Sequence, residues 1–163
     1  MVVRYLFPAI GFFVLAVIQL NIVPYIAIGT VRPDLILILL IYLTLKNGQI
    51  YGSIIGFVFG FFFDLFSGGM LGASMFSKTA AGFLCGYFYN ENKIDYSTSS
   101  ISFVFIVLIT ASLDSFLNSI LPLKDFNITA LDLIFNSGIL PGFYTALVSF
   151  PVILIKSGRK LHD

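Results

Sequence analysis

The 163-residue sequence is poor in charge. Asp, Glu, Lys and Arg together make up 10% of it, where a soluble domain carries about a quarter. With 58% hydrophobic residues and a mean hydropathy of +1.01, the chain cannot cover itself with polar surface in water. A net charge of +1 and no Lys/Arg cluster beyond the short C-terminal tail exclude nucleic acid as a partner. The one cysteine, Cys85, excludes an intramolecular disulfide or a cysteine metal site within one chain. It follows the apolar run Ala80-Ala81-Gly82-Phe83-Leu84 and reads as a small buried packing residue. The one histidine, His162, lies in the tail, so histidine triads and clustered histidine metal sites are absent. There is no GxxxxGK[ST], no GxGxxG after a strand and no GxSxG, and no serine has a credible base nearby. The chain is therefore read as a non-enzyme without a cofactor.

What the sequence has is long apolar runs. Six can be drawn, at about 5–27, 34–45, 49–66, 72–90, 100–121 and 132–155, separated by turn and cap compositions such as Lys46-Asn47-Gly48 and Ser67-Gly68-Gly69. They predict an all-α integral membrane protein, a single transmembrane domain over 1–163 built as a bundle of about six helices. The first run follows Arg4 without a small-residue cleavage pattern and reads as an uncleaved helix rather than a secretion signal. The second is short. Between Asp34 and Lys46 a helix reaches about 17 Å against a hydrocarbon core near 30 Å, so it spans only if Pro33 opens its first turn and Arg32 and Lys46 reach towards the interfaces. The alternative is a re-entrant segment. Charge bias favours the span: with six crossings and an inside N-terminus, Arg4, Lys46, Lys93, Lys156, Arg159 and Lys160 all face the cytoplasm, leaving Arg32 and Lys124 outside. Both termini are then cytoplasmic. Thr129 three residues before Asp132 suggests a cap for the last helix, residues 97–100 offer caps for the fifth, and a kink is expected near Pro141, with Pro151 further along the same run.

Gly52, Gly56, Gly60 and Asp64 recur at every fourth position and form one helix stripe. Small residues at this spacing mark where another backbone approaches closely. Phe57, Phe59, Phe61, Phe62 and Phe63 occupy the other faces, suited to lipid or aromatic packing. Gly82 and Gly86 repeat the spacing in the fourth run. Two readings of the stripe stand open: packing between helices of this chain, or an interface for another protein's transmembrane helix. Asp64 and Asp114 are the acids deepest in apolar sequence, and an ionised group near a bilayer centre costs about 2.5 to 3.5 kcal/mol even on lenient scales. Lys78, the one basic residue within a run, is placed by the six-span arrangement near both, so it can serve one or both acids. A structural contact that fixes packing is one reading; a proton or ion relay is the other.

Arg32-Pro33-Asp34 opening a short apolar helix, then Gly56-Phe-Val-Phe-Gly60-Phe-Phe-Phe-Asp64-Leu-Phe-Ser67-Gly68, then Leu71-Gly72 and Gly86-Tyr87, resemble the rod shape-determining protein MreD family. The resemblance implies a multi-pass protein of the bacterial inner membrane. It implies a scaffold of the cell-elongation machinery, surrounded by lipid and working beside the single-span MreC, the actin-like MreB, RodA and a penicillin-binding transpeptidase; a homodimer stays open. It further implies a fold similar to the substrate-binding component of energy-coupling-factor transporters, which supplies the rival function, a small-molecule (vitamin-type) transport component. The family pattern falls on Arg32, Pro33, Asp34, Gly56, Gly60, Asp64, Ser67 and Gly68, with roles in helix entry, close packing and a polar contact near the outer surface. A solute pocket needs several convergent polar groups. The sequence offers few beyond Asp64, Lys78, Asp114, Asn118 and Asn136. A bound lipid or lipid-linked precursor is a third class of reading.

Overall fold

Apolar runs broken by Gly and Pro give helices joined by short turns, and a computed structural model has that form. It describes residues 2–29, 31–94, 98, 101–121 and 133–159; side chains at 2–7, 93, 133 and 152–159 are outside the description. The helices are α1 Val2–Asn21, α2 Leu35–Asn47, α3 Gln49–Ser67, α4 Ala73–Gly86, α5 Ile101–Ile120 and α6 Leu140–Arg159. A single α-turn at Val23–Ile26, a 3-10 turn at Glu91–Lys93 and a π-helix at Leu133–Ile139 complete the described elements. Among the described residues there is no strand, only a bridge between Ile28 and Val31. Two helices, Gln49–Ser67 and Ile101–Ile120, are long and apolar enough to cross a membrane. The expected caps at residues 97, 99–100 and 129–132, with Lys124 and Lys160, lie outside the described residues.

Two local expectations are corrected. The first helix is not continuous to residue 27: it ends at Asn21 and restarts as one turn in which Pro24 sits in the first positions. A proline there has no N–H to continue the ladder, and its ring crowds the carbonyl of the preceding turn. Pro33 is not in the first turn of α2, because Asp34 is the N-cap and its carboxylate accepts from Leu37 N at 2.9 Å. Pro141 stands where the π-helix Leu133–Ile139 gives way to α6 at Leu140, so the helical ladder is irregular there.

Helix α2 is the centre of the molecule. Ile36, Leu37, Ile38, Leu40, Ile41, Leu43, Thr44 and Leu45 are all buried, against α1, α3, α4, α5 and α6. A 13-residue helix is about 20 Å long, and being sheathed in protein it needs no lipid-facing length. Gly48, at φ +96°, is the single residue between α2 and α3, a reversal that a side chain would strain. Cys85 is fully buried, within 3.8 Å of the Ile41 carbonyl.

Helices α3 and α4 pack backbone on backbone. A Cβ at Gly56 would collide with the Lys78 carbonyl, at Gly60 with Met75 and the Ser74 carbonyl, at Gly82 with the Gly52 carbonyl and at Gly86 with Gln49; at Gly52 it would strike Thr44 of α2. All five stripe glycines therefore face other helices of this chain. Phe57, Phe61 and Phe62 lie exposed on the outside, as lipid-facing side chains would, while Phe59 is buried and stacks on Phe12 at 4.6 Å.

Candidate functional site

The polar residues gather at the end of the bundle where α2 and α4 begin. Gln19 fixes the Arg32-Pro33-Asp34 turn from α1: its amide donates to the Pro33 carbonyl at 3.0 Å and its carbonyl accepts from Leu35 N at 2.9 Å. The Asp34 amide donates to Thr145 Oγ1 of α6 at 3.0 Å. That hydroxyl donates in turn to the Pro141 carbonyl at 2.8 Å. Two distant segments, α1 and α6, thus hold the turn that carries the cap residue.

Asp64 does not meet Lys78. Its carboxylate accepts from the amides of Gly72, Ser74 and Met75 at 2.8, 3.2 and 3.3 Å. Gly72 is the N-cap of α4 and has no side chain to offer, so α3 supplies the missing capping carboxylate, at the positive end of the α4 dipole. Gly68, in the left-handed conformation at φ +65°, ends α3 and turns the chain back towards Asp64. Ser67 donates to the Asp64 carbonyl at 3.4 Å.

Lys78 instead bridges Asp34 and Asp114, with Asp114 Oδ2 at 3.4 Å. Lys78 is 1% exposed and Asp114 2%, and the Phe63 ring centroid lies 5.8 Å from the ammonium. The triad joins α2, α4 and α5. The lysine is carried to this point by the glycine contact, since Gly56 of α3 abuts its own carbonyl. Asp114 Oδ1 and Thr110 Oγ1, one turn apart on α5, are buried with no hydrogen-bond partner among the described residues.

Above the triad opens a cavity of about 580 Å3, lined by Gln19, Arg32, Asp34, Phe63, Ser67, Asp114, Ser115, Asn118, Ser119, Asn136, Ser137 and Pro141, with Leu20, Val23 and Pro24 on the α1 side. This is the convergence of polar groups that the sequence reading counted as scarce. It missed Gln19, Thr145, Ser115 and Ser137. The signal for α5 was present, since Thr110, Asp114 and Asn118 recur every fourth residue just as the glycines do. Gln19 is the one polar side chain between Tyr5 and Leu20.

Neither a curated protein nor a solved structure matches the chain. A family model described as rod shape-determining protein MreD matches residues 1–155. The chain belongs to the MreD family of rod shape-determining proteins.

Proposed function

We propose that this chain is a non-enzymatic scaffold of the bacterial cell-elongation machinery. It crosses the inner membrane six times with both termini in the cytoplasm. It organises peptidoglycan synthesis together with an MreC-like single-span protein, MreB, RodA and a penicillin-binding transpeptidase. The observation that carries this reading is the family match over residues 1–155. The internal bonding supports it: Asp64, Asp34 and Lys78 are all used in holding helices of this chain to one another. With the glycine stripe occupied by α4, a partner helix docks on an outer face, of which the exposed Phe57, Phe61, Phe62 and Phe66 form one.

The polar cavity favours a second reading, a substrate-binding component of a small-molecule transporter. Detergent co-purification of tagged chain from native membranes, with mass spectrometry of retained proteins and small molecules, separates the two. Recovery of the MreC-like protein and wall-synthesis enzymes, with loss of rod shape on depletion, is the expected outcome. A stoichiometric small molecule together with an energy-coupling ATPase, and no wall proteins, overturns the scaffold.

A further inference from the structure

Many hydroxyl side chains of this bundle are satisfied locally. Thr44, Ser53, Thr79, Ser119, Thr145 and Ser149 each donate to a carbonyl three or four residues back on their own helix. Four side chains at one place do not follow that habit: Ser115, Asn118, Asn136 and Ser137 make no side-chain hydrogen bond among the described residues. All four line the same cavity. Polar groups that line a cavity without an internal partner have to meet water or a ligand.

The chemistry of the walls narrows the ligand. Each of the four groups both donates and accepts, and none is charged. Among the described residues the charged groups at the cavity and beneath it are two cations, Arg32 and Lys78, and two anions, Asp34 and Asp114, with Lys78 bonded to both acids. The formal charges of these four cancel, which favours a neutral ligand over an ion of either sign. Leu20, Val23, Pro24 and Phe63 add apolar surface to the lining. A ring with hydroxyl groups on its edge and C–H bonds on its face matches such a mixed lining. The volume of about 580 Å3 falls within the range of about 300 to 1,000 Å3 that holds small ligands.

We infer that this cavity binds a neutral carbohydrate, either free or as the headgroup of a glycolipid. The inference does not depend on the scaffold reading, because binding is measured on the isolated chain and association with wall proteins in membranes. The test uses full-length protein in nanodiscs of phosphatidylethanolamine and phosphatidylglycerol, which keeps sugar-headed detergents out of the site. Unfolding is followed by reaction of a thiol dye with Cys85, which is buried in the folded chain. The probes are methyl glucoside, methyl N-acetylglucosaminide and a monoglucosyl diacylglycerol, with inorganic phosphate and free lysine as charged controls.

At least one carbohydrate should raise Tm by about 5 °C at a hundredfold excess over Kd. Asn118→Leu and Asn136→Leu should each weaken its apparent affinity tenfold or more. Asn136 is exposed, so its variant keeps the test readable if Asn118→Leu does not fold. A shift with a free glycoside shows that the sugar suffices; a shift with the glycolipid alone shows a headgroup presented from the bilayer, and both support the site. No shift with any carbohydrate, a shift unaltered in both variants, or a shift with phosphate or lysine alone overturns it.

Discussion

The two sides of this bundle are packed by opposite means. Between α3 and α4 the side chains have been removed: four glycines, Gly56, Gly60, Gly82 and Gly86, let one backbone lie on the other. Between α5 and the last two helical segments the close approach is confined to Gly142, where a Cβ would strike the Ser112 side chain and backbone; at Gly138 a Cβ would find ordinary contact with Phe116 at 3.6 Å, the chain runs through a π-helix, and polar side chains face a cavity. In lipid, where apolar burial gives helices little reason to associate, a backbone-to-backbone seam fixes one register. The side where close approach is limited to Gly142 is free to keep unpartnered polar groups. Lys78 connects the two, leaving the tight seam through its backbone and reaching the loose side through Asp114.

The comparison breaks most visibly at the seam. Gly60→Leu should abolish folded protein, because a Cβ already overlaps the Met75 backbone and backbone cannot rotate away. Even Gly60→Ala should cost about 1 to 3 kcal/mol. Fluorescence-detected size exclusion of the tagged variants in membranes reads this directly, and a monodisperse Gly60→Leu protein would mean the seam is not as tight as described. Next in size is the connection between the sides. Lys78→Met leaves the buried Asp114 uncompensated and the half-buried Asp34 without its cation, which should cost about 3 to 5 kcal/mol. Adding Asp114→Asn to that variant should recover part of the loss, as a thermal unfolding series on the single and double variants would record. If the double variant is no more stable than Lys78→Met, the two residues are not coupled. A smaller effect is expected from Asp64→Asn, which keeps the shape but removes the charge from a three-amide cap, with a loss of about 1 kcal/mol or somewhat more. The unfolding midpoint of that variant against the parent measures it, and an unchanged midpoint would show that the charge adds nothing to the cap.

Much of this arrangement can be read in the sequence, for reasons that differ by residue. The spacing of Gly52, Gly56 and Gly60 identifies a close-approach face because period four is a property of one helix. Which helix fills that face is a tertiary fact, so the choice between an internal seam and a partner's helix stayed open until α4 was seen to occupy it. Asp64 and Lys78 were recognisable as expensive residues, yet their pairing was not. A carboxylate at a helix end finds backbone amides as readily as a cation, and Gly72 as a bare N-cap is what draws Asp64 there. The motif that holds Asp34 points to helix entry and a polar contact without naming its partner. That it also bonds Lys78 follows from α2 lying at the centre, which no local pattern records. The cavity was the least legible feature, because its walls come from α1, the turn before α2, α3, α5 and the π-helix, each with only a few polar residues.

The smallest expected effect tests the loose side. Ser115→Ala and Asn118→Ala, in protein without added carbohydrate, should each change stability by no more than about 0.5 kcal/mol, the range of substitutions that break no internal contact. The reason lies in what these side chains do not do: neither has a hydrogen-bond partner among the described residues, so truncation leaves no orphaned donor or acceptor behind. Thr145→Val, by contrast, removes the oxygen that accepts from the Asp34 amide and should cost about 1 to 3 kcal/mol. Measured side by side by thermal unfolding, the three variants give an ordering. If Asn118→Ala falls as far as Thr145→Val, the α5 polar face is part of the structural framework and the contrast between the two sides of the bundle is lost. If it stays near the parent, those groups are held in place by neighbours that do not need them, as expected of residues kept for contacts with something outside the chain.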